Sequence, residues 1–281
     1  MLNKCRISGF ADEISPDFSV QLNVLQEIGQ KFIELRAADE INVSDMTKAQ
    51  ATEFYDRMKE AGVGVSALGS PIGKIQITED FVPHFEKYCH TVELTKIFNT
   101  PYIRMFSFYM PKEEDPEKYQ DEVFKRTEQM VEYAKKQNVI LLHENEKGIY
   151  GDMAPRCRKL MEAFFGEHYQ CTFDFANFVQ CKQDTREAYE MLKPYIRYVH
   201  VKDALWESGE VVPAGDGQGN VPKILALLDA SGYDGYLSLE PHLTNFAGLE
   251  KLEPDVQKRK ENNGILAYKL AYSKLQEILG R

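Results

Sequence analysis

The amino-acid sequence predicts an α/β protein, a (β/α)8 TIM barrel that forms one domain with a C-terminal helical tail. Eight short apolar runs rich in β-formers recur at fairly even spacing, amphipathic helical patterns lie between them, and no low-complexity linker or composition break divides the 281 residues. Strict alternation of strand and helix implies parallel strands with right-handed crossovers, and eight such units is the count that closes a barrel. A doubly wound sheet is the rival. It would normally show a glycine-rich turn after the first strand, but Gly9-Phe10-Ala11-Asp12 has no G-x-G-x-x-G, and no P-loop pattern occurs anywhere in the chain.

The expected strands are 6–10, 32–35, 63–68, 102–106, 139–142, 171–173, 197–201 and 236–239. Ser15 and Pro16 open a helical run that puts Phe18, Leu22, Leu25 and Ile28 on one face, and Gly29 closes it. An apolar stripe of Phe81, Phe85, Tyr88, Val92 and Leu94 precedes Asn99-Thr100-Pro101. Asp115 and Pro116 open a further helix, with Val123, Thr127, Met130, Val131 and Ala134 at helical spacing before Asn138. The helical tail is expected over 247–279. Its Leu266, Leu270 and Leu275 could close the barrel's outer layer or pack on a second copy in a homo-oligomer.

Composition narrows the function classes. Apolar residues make up 43% and charged residues 28%, as in a globular protein with a sizeable core, and a mean hydropathy of -0.44 argues against a membrane span. The N-terminal M-L-N-K-C-R-I-S-G-F carries no apolar run of signal-peptide length, so a cytoplasmic location is expected. Cys5, Cys89, Cys157, Cys171 and Cys181 are odd in number, scattered and never spaced C-x-x-C, which argues against disulfides and a thiolate zinc site. A net charge of -10 disfavours a nucleic-acid partner, because phosphate neutralisation needs basic patches. A small-molecule substrate fits better.

In such a barrel the active site lies at the C-terminal ends of the strands. The last four expected strands end in Glu144, Asp174, His200 and Glu240, each a metal-ligand type. Three carboxylates and an imidazole converging on one mouth would repel strongly without a cation. The O,O,O,N set suits one divalent ion, Mn²⁺ foremost, with Mg²⁺, Co²⁺ or Zn²⁺ as alternatives. Any one of these acids alone would read as a solvated strand end or a helix cap.

Residues two apart on a strand share a face, so Glu146 should follow Glu144 inward, and His242 should follow Glu240. Glu146 is then a lip residue, a substrate contact or a partner of Lys147, and His242 a contact to substrate or to the ligands. His143 should point away from the metal. Glu34 and Arg36 end the second strand and Arg104 lies on the fourth, where a Glu34–Arg104 or Glu34–Arg36 ion pair competes with substrate binding. Lys74 sits in a loop that should overhang the mouth as a substrate contact. Phe10, Phe106, Phe108 and Trp206 could give apolar walls. Arg36, Lys74, Arg104 and Lys202 could meet a phosphate, yet no glycine-rich helix N-terminus announces one. G-D-G-Q-G at 215–219 reads as a shaped loop before Pro222, and an unphosphorylated substrate is preferred.

The motifs L-L-H-E-N, F-D-F-A-N and Y-V-H-V-K-D resemble the xylose-isomerase-like TIM-barrel family, the sugar phosphate isomerase/epimerase group. So do the closing runs G-D-G-Q-G-N-V-P-K-I-L and G-Y-D-G-Y-L-S-L-E-P-H, and the resemblance covers nearly the whole chain. It implies a TIM barrel and one divalent metal held by Glu144, Asp174, His200 and Glu240. It also implies a carbohydrate substrate carried through an enediolate, with Glu144 and Glu240 as the acid/base pair. Where ketose 3-epimerases of the group carry His, Arg and Glu, this chain has Asn177, Trp206 and Tyr150. The H-V-K-D and D-x-x-N patterns look more like the dehydratase-like branches, in which Lys202 would reach a substrate oxygen. The resemblance therefore implies an isomerase or epimerase. The alternative is a lyase or dehydratase on a keto-sugar or keto-inositol, with Lys202, His242 or His143 as its general acid. The endonuclease IV branch is disfavoured by net acidity and by only six histidines, of which His84, His90 and His168 fall outside the strand ends. A binding barrel without turnover would need only the metal set.

Overall fold

The computed structural model describes residues 1–244 and 263–281. Eight parallel strands form the barrel wall: β1 Arg6–Gly9, β2 Phe32–Leu35, β3 Gly64–Leu68, β4 Tyr102–Met105, β5 Ile140–Glu144, β6 Tyr169–Asp174, β7 Ile196–Val201 and β8 Tyr236–Leu239. Hydrogen-bonded neighbours run β1-β8-β7-β6-β5-β4-β3-β2, and β1 and β2 then lie side by side, so the wall is nearly closed. The expected strands are all present, with ends that agree or shift by at most two residues. Two short antiparallel ribbons were not expected: Ala37–Ala38 pairs with Ile41–Asn42, and Asp203–Ala204 with Val211–Val212.

Each strand is followed by helix: α1 Phe18–Glu27, α2 Lys48–Ala61, α3 Val82–Ile97, α4 Gln120–Gln137, α5 Ala154–Phe164, α6 Phe175–Gln180 with α7 Thr185–Leu192, α8 Val221–Ala230 and α9 Gly264–Leu279. Local chemistry sets their ends. Asp17, not Ser15, caps α1, its carboxylate accepting from the amides of Ser19 and Val20. Thr47 and Gln50 form a capping box at α2. Pro116 opens a 3-10 turn, Pro116–Tyr119, and α4 proper begins at Gln120. Asn138 ends α4 in the left-handed region at φ 57, where an Asn costs less than most residues.

The expected tail is described only from its second half; 247–262 lie outside the described residues. α9 docks against β1, where the Tyr268 hydroxyl accepts from Gln30 Nε2 at 2.9 Å. A Cβ on Gly9 would press on that hydroxyl and stand 3.0 Å from the Leu239 carbonyl, so a side chain at this crossing would force Tyr268 to shift. Tyr268, Ala271, Leu275 and Leu279 are buried. Leu266 and Leu270 are not: they are 62% and 45% exposed, so only Leu275 of the three expected tail leucines joins the outer layer. No helix among the described residues is long and apolar enough to cross a membrane.

The outward residues of the strands pack under the helices, while the inward ones fill the barrel in layers. Near the bottom, the Arg6 guanidinium lies 4.0 Å over the Tyr236 ring. Above it, the Ser66 hydroxyl sits 2.6 Å from that of Ser8 and 2.7 Å from that of Tyr198, so buried polar atoms satisfy one another. The top layer is charged and forms the site.

Candidate active site

Alternation along the wall delivers the charges. On β5, Leu142, Glu144 and then Glu146 face inward; β7 presents Tyr198, His200 and Lys202, and β8 presents Tyr236, Ser238, Glu240 and His242. Cross-strand register sets their height, with Asp174 beside His200 and His200 beside Ser238. One ligand-type atom from each of Glu144, Asp174, His200 and Glu240 falls within 4.8 Å of the others, and all four residues are buried.

His200 lies at the centre. Its Nδ1 is 3.0 Å from Glu144 Oε1, 3.7 Å from Glu240 Oε2 and 3.9 Å from Asp174 Oδ2. Its other nitrogen, Nε2, is 3.1 Å from Glu34 Oε2, whose carboxylate also accepts from the Ser238 hydroxyl at 2.6 Å. With Nε2–H donated to Glu34, the Nδ1 lone pair points at three carboxylates. Neither Nδ1 nor Asp174 Oδ2 has an aligned hydrogen-bond partner, although both are buried. Such an arrangement needs a proton or a metal cation at Nδ1.

Electrostatics agree. Burial opposes a charge on His200, yet Glu144 and Glu34 outweigh it and raise its pKa far above the usual range. Burial pushes Asp174 up to about 7, with Lys202 acting against the rise and Glu144 and Glu240 adding to it. Burial would also raise Glu144, but His200 and Arg104 bring it down to about 2. Glu240 is held well below the carboxylate range against its burial, chiefly by Lys202 and His242. The donor set, its compactness and the two atoms without an aligned hydrogen bond fit one divalent ion; the residues do not select which metal.

Around the tetrad, among the described residues, Arg36, Lys74, Arg104 and Lys202 are each committed to a carboxylate. Arg104 Nη1 donates to Glu144 Oε2 at 3.0 Å and Nη2 to the Gly69 carbonyl, its guanidinium lying between the rings of Phe10 and Phe106. Arg36 bridges Asp12 at 2.7 Å, Glu13 at 3.3 Å and Glu240 at 3.4 Å. The expected Glu34 pairing with either arginine is thus replaced by Glu34–His200, because His200 stands across the barrel and both arginines have other carboxylates at hand. Lys202 Nζ lies 2.8 Å from Glu240 Oε2 and 3.3 Å from Asp174 Oδ2. Lys74 reaches Glu146 Oε2 at 3.0 Å, so the Glu146 side chain pairs with Lys74, while the Lys147 amide donates to its other oxygen. His242 Nε2 is 3.3 Å from Glu240 Oε1, and its own amide donates to Glu13.

Asn177 donates from Nδ2 to Glu144 Oε1 at 3.2 Å, and its amide caps onto Asp174 Oδ1 at 2.7 Å, so it braces two of the tetrad. Trp206 lies apart, half-buried against Ala176, Val179 and Ala204 on the 203–212 ribbon. Tyr150 donates to Gln120 in the helix shell, and Phe108 packs on Phe81 there, so neither lines the mouth. Phe10 does, meeting the His200 ring edge-on with centroids 5.2 Å apart.

His143 points into the helix shell. Its Nε2 meets Ser107 Oγ at 3.0 Å, a Cβ on Gly151 would crowd its ring at 2.5 Å, and burial lowers its pKa to about 4. Sequence reasoning passed over Asn145, Asp12 and Glu13. Asn145 zips β5 to β6 by exchanging hydrogen bonds with the Asp174 backbone at 3.0 Å in both directions. Its place directly after Glu144 was the only signal. Asp12 and Glu13 follow β1 and hold Arg36, a pairing no local pattern announces.

Comparison with known proteins places this geometry. No curated protein matches the chain in sequence. Among solved structures, L-ribulose 3-epimerase superposes with a TM-score of 0.76 at 18% identity, covering 98% of this chain and 95% of that one. The 3-keto-D-glucoside 4-epimerase from E. coli gives 0.69 at 13%, covering 99% and 100%. A probable 3-DHS dehydratase from Bacillus anthracis gives 0.69 at 18%, covering 84% and 92%. At these identities the likeness establishes the fold alone. A family model described as xylose isomerase-like TIM barrel matches residues 22–261, most of the chain, and this protein therefore belongs to the xylose isomerase-like TIM barrel family.

Proposed function

We propose that this protein is a divalent-metal-dependent isomerase or epimerase of a monosaccharide or sugar derivative. The observation that carries the reading is the tetrad itself: four ligand types within 4.8 Å, with His200 Nδ1 and Asp174 Oδ2 turned inward and lacking an aligned hydrogen bond. A divalent ion held there would polarise a substrate carbonyl and so acidify the neighbouring C–H. One of Glu144 and Glu240 would remove the proton as a carboxylate, and the other, after taking up a proton from solvent, would supply one. Glu144 ends β5 and Glu240 follows β8, the outer strands of the four-strand arc, and Arg104 beside one and Lys202 beside the other favour the carboxylate, the form in which either acts as base. Proton return to the other face of the same carbon inverts it, and return to the adjacent carbon moves the carbonyl; both pass through an enediolate of the sugar.

An uncharged substrate is favoured, because Arg36, Lys74, Arg104 and Lys202 are each paired with carboxylates of the protein and so are not offered to a phosphate. A second reading, loss of water or an aglycone from a keto-sugar or keto-inositol, draws support from Lys202 and His242. Both are buried cations against Glu240 that could protonate a leaving group. His143, held in the helix shell, is not available for that role. Likeness to both epimerases and a dehydratase is compatible with either reading.

Incubation of the Mn²⁺-loaded protein with ketoses, keto-inositols and 3-keto-glucosides in D₂O separates them. Solvent deuterium in a product with an unchanged skeleton is expected, and loss of water or aglycone instead would replace the first reading with the second. Full turnover by Glu240→Gln with metal still bound would remove Glu240 from the acid/base role.

A further inference from the structure

Two of the three carboxylate oxygens facing His200 Nδ1 are Glu240 Oε2 and Asp174 Oδ2. These are also the two oxygens that the Lys202 ammonium touches, at 2.8 and 3.3 Å. Lys202 cannot easily turn elsewhere. It follows His200 by two residues, so the strand delivers both to the same face, and its side chain is only 2% exposed. A buried ammonium must keep carboxylate partners, because an unpaired one is costly to hold out of water.

From this shared pair of oxygens, we infer that Lys202 is an internal competitor for the metal site. The ammonium neutralises Asp174 and Glu240 by itself and must retreat from them when a divalent ion takes the same lone pairs. Lys202 therefore weakens metal binding while protecting the cluster of acids from its own repulsion. Lys74, by contrast, pairs with Glu146, which is not one of the four ligand-type residues, and serves as the comparison cation. The inference rests on the metal-site reading above.

The test is Mn²⁺ titration of metal-stripped protein, followed by calorimetry and by the rise in melting temperature. Lys202→Met is expected to bind Mn²⁺ at least about tenfold more tightly than wild type, to melt lower when stripped, and to gain more from added Mn²⁺. Lys202→Arg keeps a cation at the position and is expected to bind like wild type, and Lys74→Met to shift affinity less than about twofold. If stripped Lys202→Met does not fold, it is produced with Mn²⁺, and its rate of metal loss to a chelator is expected to be slower than wild type. Equal or weaker binding by Lys202→Met, faster loss to chelator, or equal tightening by Lys74→Met would overturn the competitor role alone. Absence of stoichiometric Mn²⁺ binding by wild type would overturn the metal site as well.

Discussion

Both halves of the barrel, β5–β8 and β1–β4, bring charged side chains to the site, but those charges touch different things. The second half supplies Glu144, Asp174, His200 and Glu240, whose ligand atoms face one another. The first half supplies groups that hold those residues in place. Arg104 of β4 grips Glu144, Arg36 after β2 reaches Glu240, Lys74 after β3 meets Glu146, and Glu34 of β2 fixes the free nitrogen of His200. The four ligand-type residues thus draw the aim of His200 and part of their charge balance from the first-half wall, while Lys202 after β7 neutralises Asp174 and Glu240 from within the second half. If that division holds, damage to the first half should appear as lost stability or metal affinity, without removal of any ligand.

The largest such effect is expected at Arg104. Arg104→Met leaves Glu144 buried beside two other acids and should cost about 3–5 kcal/mol in chemical denaturation of the metal-stripped protein. A loss below about 1 kcal/mol would show that Glu144 does not depend on that wall. Next comes Glu34→Gln. A neutral amide can still meet His200 Nε2 but binds a donated proton less strongly, and Mn²⁺ affinity should fall by roughly 10–100-fold with the fold intact. Unchanged affinity would mean that His200 needs no partner across the barrel.

The smallest effect concerns the loop that carries Lys74, and it is confined to acid. Gly73 stands at φ 90 against the Phe106 carbonyl, where a Cβ would clash at 2.0 Å, and its amide donates to His84 Nε2 at 2.7 Å. That bond requires neutral His84, whose pKa is lowered to about 4 by burial first and by Lys87 and Arg126 next. The folded pKa lies below the usual 6.5, so the unfolded chain binds the proton more readily. The contribution to stability is full above about pH 6.5 and is lost as pH falls toward about 4. The melting temperature of wild type should therefore fall through that window more than that of His84→Gln, whose amide oxygen accepts from Gly73 without titrating. Parallel curves for the two proteins would remove His84 from the account of the loop.

The contrast between the halves also explains what the chain showed before its structure was known. The ligand half was legible because a local rule sufficed: an apolar run, then a metal-ligand residue, on four consecutive strands. Alternation likewise separated Glu144 from His143, whose ring lies in the shell against Ser107. The bracing half was not legible, because its partners are far apart in sequence: Glu34 and His200 are 166 residues apart, and Arg36 and Glu240 are 204. A charge at a strand end reads the same whether it meets a sugar or a carboxylate across the barrel. Trp206 shows a further limit. Its position six residues after His200 suggested the mouth, but the 203–212 ribbon carries it sideways onto α6.

The central claim is that Glu144, Asp174, His200 and Glu240 hold one divalent metal, and its most direct test is Mn²⁺ titration of stripped protein followed by calorimetry and electron paramagnetic resonance. Wild type should take up one equivalent with a signal unlike that of the hydrated ion, and Asp174→Asn, which keeps an oxygen to cap α6, should lose that binding by about 100-fold or more. Uptake that is absent in wild type, or unchanged in Asp174→Asn, would contradict the claim.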